Sequence, residues 1–239
     1  MATFVLVHGA WQGPRTWDRL VPLLKEKNQQ IVVPVLTGLG DDGKRLSSSV
    51  DLMTHVDDVV REFMQQDLHD AVLVGHSYGG MVITGVADRM HERLRCLIYL
   101  DAFLPTDGQS ALDLLPADIQ SLFRELARTQ GDGWRLPATD GLLDIWGLAA
   151  GPARDFAREW LSDFSLRCFE QKLEMARGLG DLTGTFAHAV GYPGREIFRP
   201  FAEAARKRGW ACHELQTGHQ CQIEDPEAVA SILMSTVEN

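Results

Sequence analysis

Short unbroken apolar runs alternate along the chain with longer segments in which apolar residues recur every three or four positions. Phe4-Val5-Leu6-Val7, Ile31-Val32-Val33-Pro34-Val35, Ala71-Val72-Leu73-Val74 and Cys96-Leu97-Ile98-Tyr99-Leu100 lack the polar alternation of a half-exposed strand. They predict strands covered on both faces, as in a parallel sheet. Between them, Trp17, Leu20, Val21 and Leu24 predict a helix opened by Gly13-Pro14. Leu52, Val56, Val59, Val60 and Phe63 predict a second helix ending near Gln66, with Ser47, Ser48 and Ser49 as candidate N-caps. The pattern returns late in the chain, with strands over 186–190 and 211–215, a helix over 198–208, and a terminal helix opened by Asp225-Pro226-Glu227. Alternating strands and helices imply right-handed crossovers and an α/β fold with a mainly parallel sheet of about six strands flanked by helices.

The span 102–183 breaks this rhythm. Helical pieces over 117–127, 153–161 and 165–177 are separated by Gly/Pro-rich connections, with no clear strand. A segment of about 80 residues is too long for an ordinary crossover. It reads as a helical lid inserted into a core made of 1–101 and 184–239.

The chemistry centres on Gly75-His76-Ser77-Tyr78-Gly79, which follows one apolar strand and opens an apolar helix. Gly-x-Ser-x-Gly at a strand-to-helix turn lifts the serine hydroxyl into a cleft, and the glycines let strand and helix pass closely. A serine needs a base within hydrogen-bond reach and an acid to orient that base. His219 follows the last strand, on the sheet edge where Ser77 stands, so it is the candidate base. Of the other histidines, His55, His69 and His91 read as solvated, His188 and His213 fall in strands, His76 packs in the turn and His8 braces the loop after the first strand. Two carboxylates compete for the acid. Asp101 ends the strand after the elbow helix, and Glu196 lies in the loop after the next strand. Candidate oxyanion donors are the backbone N–H groups of Ala10 and Tyr78, and candidate pocket residues are Trp11, Phe103, Trp134 and Trp146.

Composition narrows the partners. Among 239 residues, 23 Lys and Arg against 33 Asp and Glu give a net charge of -10. No basic cluster stands out, which argues against nucleic acid. No apolar stretch nears the roughly 18 residues of a membrane span, and the first residues lack a basic n-region, so a cytoplasmic setting is expected. Cys96, Cys168, Cys212 and Cys221 are scattered without metal-ligand spacing, so neither a disulfide framework nor a metal or other cofactor is expected. The oligomeric state stays open, a homodimer being one option.

Val7-His8-Gly9-Ala10-Trp11, the elbow, Tyr99-Leu100-Asp101-Ala102-Phe103-Leu104-Pro105 and Thr217-Gly218-His219 together resemble the α/β-hydrolase superfamily. Within it the chain is similar to bacterial esterases related to plant methylesterases and hydroxynitrile lyases. The resemblance spans nearly the whole chain and is weakest in the lid. It implies a cofactor-free serine esterase that forms an acyl-enzyme on Ser77, with His219 as base and then acid, acting on a small to medium apolar acyl or aryl ester. The alternatives are a thioesterase, a lactone-forming cyclase or a carbon-carbon bond hydrolase using the same triad. More distant alternatives are a hydroxynitrile lyase and a ligand-binding pseudo-hydrolase. In the plant relatives the acid is an aspartate after the next-to-last strand, at a position matching Glu196, while Asp101 stands where they commonly carry a small residue. The lyases place a threonine at Gly9 and a lysine at Gln220.

Overall fold

The computed structural model describes residues 1–238. Its elements are, in chain order, β1 (Thr3–Val7), α1 (Leu20–Glu26), β2 (Gln30–Val32), α2 (Leu52–Gln65), β3 (Ala71–His76), α3 (Gly79–Met90) and β4 (Leu94–Leu100). An insertion follows with α4 (Ala117–Gln130), β5 (Arg135–Leu136), α5 (Asp140–Ile145), α6 (Pro152–Arg158), β6 (Phe164–Ser165) and α7 (Leu166–Glu170). The chain then closes with β7 (Gly184–Ala189), α8 (Arg199–Lys207), β8 (Ala211–Leu215), α9 (Cys221–Glu224) and α10 (Pro226–Glu238). Among the described residues, six strands form one sheet in the order β2-β1-β3-β4-β7-β8, and every neighbouring pair is parallel.

The unbroken apolar runs have a direct cause. Successive side chains of β1 enter different cores, Phe4 and Leu6 packing with α1 and α10, Val5 and Val7 with α2, α3 and the insertion. Both faces are therefore dry, and alternation would place polar groups in one of them. β2 is shorter than the predicted 31–35 run. It is an edge strand, and Pro34 has no N–H to donate to a ladder.

Two further expectations change. The start of α2 is capped by Asp51, not by Ser47, Ser48 or Ser49. Its carboxylate accepts the Thr54 N–H at 3.0 Å, while the Thr54 hydroxyl accepts the Asp51 N–H at 3.3 Å, forming a capping box. The insertion is not purely helical. β5 and β6 pair antiparallel, Arg135 opposite Ser165 and Leu136 opposite Phe164. The helix expected over 165–177 stops at Glu170, because Gln171 turns extended and Leu173 instead exchanges backbone hydrogen bonds with the 108–109 turn.

Removing the Asp51 cap unpairs a helix-end amide. Asp51→Ala is expected to lower unfolding free energy by about 1 kcal/mol. In urea its midpoint falls with an unchanged slope, whereas Ser49→Ala leaves the midpoint in place.

Candidate active site

Adjacent strands β1, β3 and β4 each end in a residue forced into left-handed backbone or lead to one. These are Trp11 (φ 60), Ser77 (φ 56) and Asp101 (φ 42). Such conformations cost about 1 kcal/mol or more for a non-glycine residue and persist only where surroundings fix them. At Ser77 the fixing bonds are its N–H to the Leu100 carbonyl at 3.2 Å, and its own carbonyl accepting the Gly80 and Phe103 N–H groups at 3.0 and 3.2 Å. The flanking glycines are a steric requirement. A Cβ on Gly75 would stand 2.7 Å from the Gly79 carbonyl oxygen, and one on Gly79 would stand 2.6 Å from that of Val7. Tyr78 then begins the first turn of α3, where unpaired amides and the helix dipole favour negative charge. Gly9, immediately before Ala10, lies so close to the serine that a Cβ there would meet Ser77 Cβ at 2.9 Å.

Asp101 is fully buried, and its Oδ2 lies 2.6 Å from His219 Nδ1. With Asp101 ionised, that contact assigns the tautomer: Nδ1 carries the proton and donates it, leaving the Nε2 lone pair free. Two more donors satisfy the carboxylate, the Ala189 N–H to Oδ1 at 3.1 Å and the Tyr192 hydroxyl to Oδ2 at 2.7 Å. The imidazole stacks on Phe198 with centroids 5.0 Å apart, and its backbone N–H donates to the Trp146 carbonyl at 2.9 Å. The His76 Nε2–H donates to the His219 carbonyl at 2.8 Å, so His76 supports the backbone of its neighbour. Burial lowers His219 to about 3. Burial also raises Asp101 to about 7, opposed by the Tyr192 hydrogen bond, the charge of His188 and the Ala189 amide.

Ser77 and His219 share the wall of a cavity of about 90 Å³ with Trp11, Phe103, Trp146 and Tyr192. Among the described residues, no Lys, Arg, Asp or Glu lines it. Most of its remaining wall comes from the insertion, including Ile119, Leu122 and Phe123 of α4 and Phe169 of α7. Leu122 and Ile145 are 43% and 51% exposed at its rim.

Of the two candidate acids, the fold brings Asp101 to His219. Glu196 sits in a 3₁₀ turn with its side chain 53% exposed, paired with Arg199 at 2.8 Å and Arg195 at 3.5 Å. Trp134 does not line the cavity. It follows the turn after α4, where its carbonyl accepts the Leu166 N–H and ties the ribbon to α7. His55 is not solvated but buried, with Nε2–H donating to the Thr37 carbonyl at 3.0 Å and Nδ1 accepting the Tyr78 hydroxyl at 3.1 Å. Its place in the apolar stripe of Leu52, Val56 and Val59 was a readable signal. Tyr192 and Phe198 escaped the sequence reading, since neither sits in a recognisable motif. Among the described residues, no group of three or more His, Cys, Asp or Glu is arranged to hold a metal ion.

The sequence pattern of the alpha/beta hydrolase family matches residues 4–232. The chain belongs to that family. A carbendazim hydrolyzing esterase of Nocardioides sp. is 34% identical over 98% of this α/β hydrolase and 98% of its own length. Putative methylesterase 14 of Arabidopsis thaliana is 29% identical over 57% of this chain and 40% of its own. Among solved structures, an extracellular alpha/beta-hydrolase from a Paenibacillus species superposes with a TM-score of 0.85 at 23% identity, covering 99% of both chains.

The tight approach of Gly9 to the serine yields a direct check. A methyl group in Gly9→Ala must displace Ser77 or Gln12, whose Nε2 it would meet at 3.0 Å. We expect fluorophosphonate labelling of Ser77 to slow by at least about tenfold, the scale of a small misplacement of reacting groups. Far-UV circular dichroism should remain that of the parent.

Proposed function

We propose that this α/β hydrolase is a serine esterase acting on small, neutral, apolar acyl or aryl esters, with Ser77 as nucleophile, His219 as base and Asp101 as the orienting acid. The observation that carries the reading is the 2.6 Å bond between Asp101 and His219 behind a serine in an apolar, uncharged cavity. In this reading Nε2 of His219 takes the Ser77 proton as Oγ attacks the ester carbonyl. The N–H groups of Ala10 and Tyr78 receive the oxyanion, each worth roughly 3 kcal/mol. The imidazolium then returns its proton to the departing alcohol, and water repeats the sequence on the acyl-enzyme. The segment 102–183 acts as a lid over a core of 1–101 and 184–239. The whole-length likeness to an esterase supports the reaction class.

Cavity size supports the substrate class. About 90 Å³ is well below the roughly 300 Å³ at the lower end of ligand pockets, which suits one small apolar group at a time. With no Lys or Arg on its wall, a thioester carried on a phosphorylated group finds no counter-charge there. A lyase-type threonine at position 9 would collide with Ser77, which argues against cyanohydrin cleavage. Four free thiols, three of them buried, support a cytoplasmic setting.

Ser77→Ala and His219→Ala are each expected to lower kcat on p-nitrophenyl butyrate by about 10⁵ to 10⁶, and Asp101→Asn by about 10⁴. Glu196→Gln should stay within about twofold, the ordinary scatter of a surface change. Wild-type turnover no faster than Ser77→Ala would refute the esterase reading.

The same pair sets the pH dependence. The productive state has Asp101 ionised and His219 neutral, the state of the pair with fewest protons. With His219 lowered to about 3 and Asp101 raised to about 7, the hydrogen-bonded pair takes up its first proton on acidification near the higher of the two. On whichever side of the Asp101–His219 hydrogen bond that proton settles, Nε2 ends protonated and the base is lost. We expect kcat/KM to rise through about pH 7 with a one-proton slope and level off above it.

A further inference from the structure

Tyr192 stands three residues beyond the end of β7, at the start of the turn over Pro193–Ile197, and is 3% exposed. Its hydroxyl lies 2.7 Å from Asp101 Oδ2, the oxygen that also accepts His219 Nδ1–H, and 3.4 Å from Nδ1 itself. The ring is 5.8 Å from the imidazole, tilted by 36°. Two glycines make room for it. A Cβ on Gly147 would stand 2.5 Å from Tyr192 Cβ, and one on Gly194 would stand 2.7 Å from Cε2. Side chains from the insertion and from the β7 turn are thus kept minimal so that one phenol can reach the acid.

We propose that Tyr192 is a positioning residue, which holds the Asp101 carboxylate in line with His219 and supplies the second donor to their shared oxygen. The inference rests on the triad reading above and extends it to a fourth member. A buried carboxylate keeps its charge only when donors replace water. Asp101 has the Ala189 amide on Oδ1, and His219 and Tyr192 on Oδ2. Burial and the neighbouring Asp101 charge raise the Tyr192 phenol, so it stays protonated and acts only as a donor. Other titratable groups face the pair from each side. His188 of β7 lies 4.0 Å from Oδ1 and donates its Nε2–H to the Arg195 carbonyl. The Cys221 thiol interacts with Asp101 from α9, His76 packs on the imidazole at 4.6 Å, and Glu224 accepts the Gly218 N–H. None of these places a hydroxyl on Oδ2.

The test is Tyr192→Phe, which keeps the ring that lines the cavity and removes only the donor. With one donor fewer, the carboxylate becomes more basic, so the acid limb of kcat/KM is expected to move to higher pH by about one unit. At pH 7 kcat falls severalfold with KM little changed, and at pH 9 it returns towards wild type. In an Asp101→Asn background, where no charge needs support, the same change should shift nothing further. The His219 Cε1 proton resonance, titrated by NMR, reads the same shift without turnover, so an inactive wild type would refute the esterase reading while the resonance still decides the role of Tyr192. An unmoved limb and titration, or a loss equal at every pH, would overturn the proposal.

Discussion

A carboxylate shut away from water must be met by donors or give up its charge. Asp101 has no solvent exposure and is met by three: a main-chain amide from the neighbouring strand, a phenol and an imidazole. The rest of the site depends on this arrangement. While ionised, the carboxylate selects the His219 tautomer with a free Nε2, the form that the proposed base requires. The sheet supplies the precision. Asp101 N–H donates to the Ala187 carbonyl at 2.7 Å and Ala189 N–H returns to its carboxylate, so β4 and β7 both fix where the acid points.

The insertion is coupled to that centre through backbone as well as packing. Trp146 in the insertion lines the cavity and also accepts the His219 N–H, while the Ser162 N–H donates to the Trp11 carbonyl. The Trp11 indole N–H reaches the Leu136 carbonyl of the short ribbon at 3.1 Å. Its ring packs 5.5 Å from Phe164 and 5.6 Å from both Phe123 and Phe169. The wall of the cavity and the support of His219 therefore share side chains, and a change to that wall is felt at the histidine.

The sheet was legible in the sequence because burial on both faces leaves unbroken apolar runs, and the elbow because steric closeness at Gly75 and Gly79 admits no side chain. Which carboxylate meets His219 was only half legible. Asp101 and Glu196 both follow strands in the required chain order, and linear position does not reveal that Arg195 and Arg199 hold Glu196 outside. The two-residue strands of the ribbon are too short to carry a period, so β5 and β6 were invisible and α7 was drawn too long. The Asp51 cap was hidden by three serines just ahead of it. Tyr192 left no trace, since a phenol after a strand has no characteristic spacing. The apolar face of α4, with Ile119, Leu122 and Phe123 turned to the cavity, could have been found from its helical repeat.

The central claim is that Asp101 sets the proton on His219. It is tested most directly by ¹⁵N chemical shifts of the His219 imidazole in histidine-labelled protein near pH 9. The account predicts a protonated Nδ1 and an unprotonated Nε2 in the wild type, with that preference lost in Asp101→Asn and kept in Glu196→Gln. A proton resident on Nε2 in the wild type, or loss of the preference on changing Glu196, would contradict it.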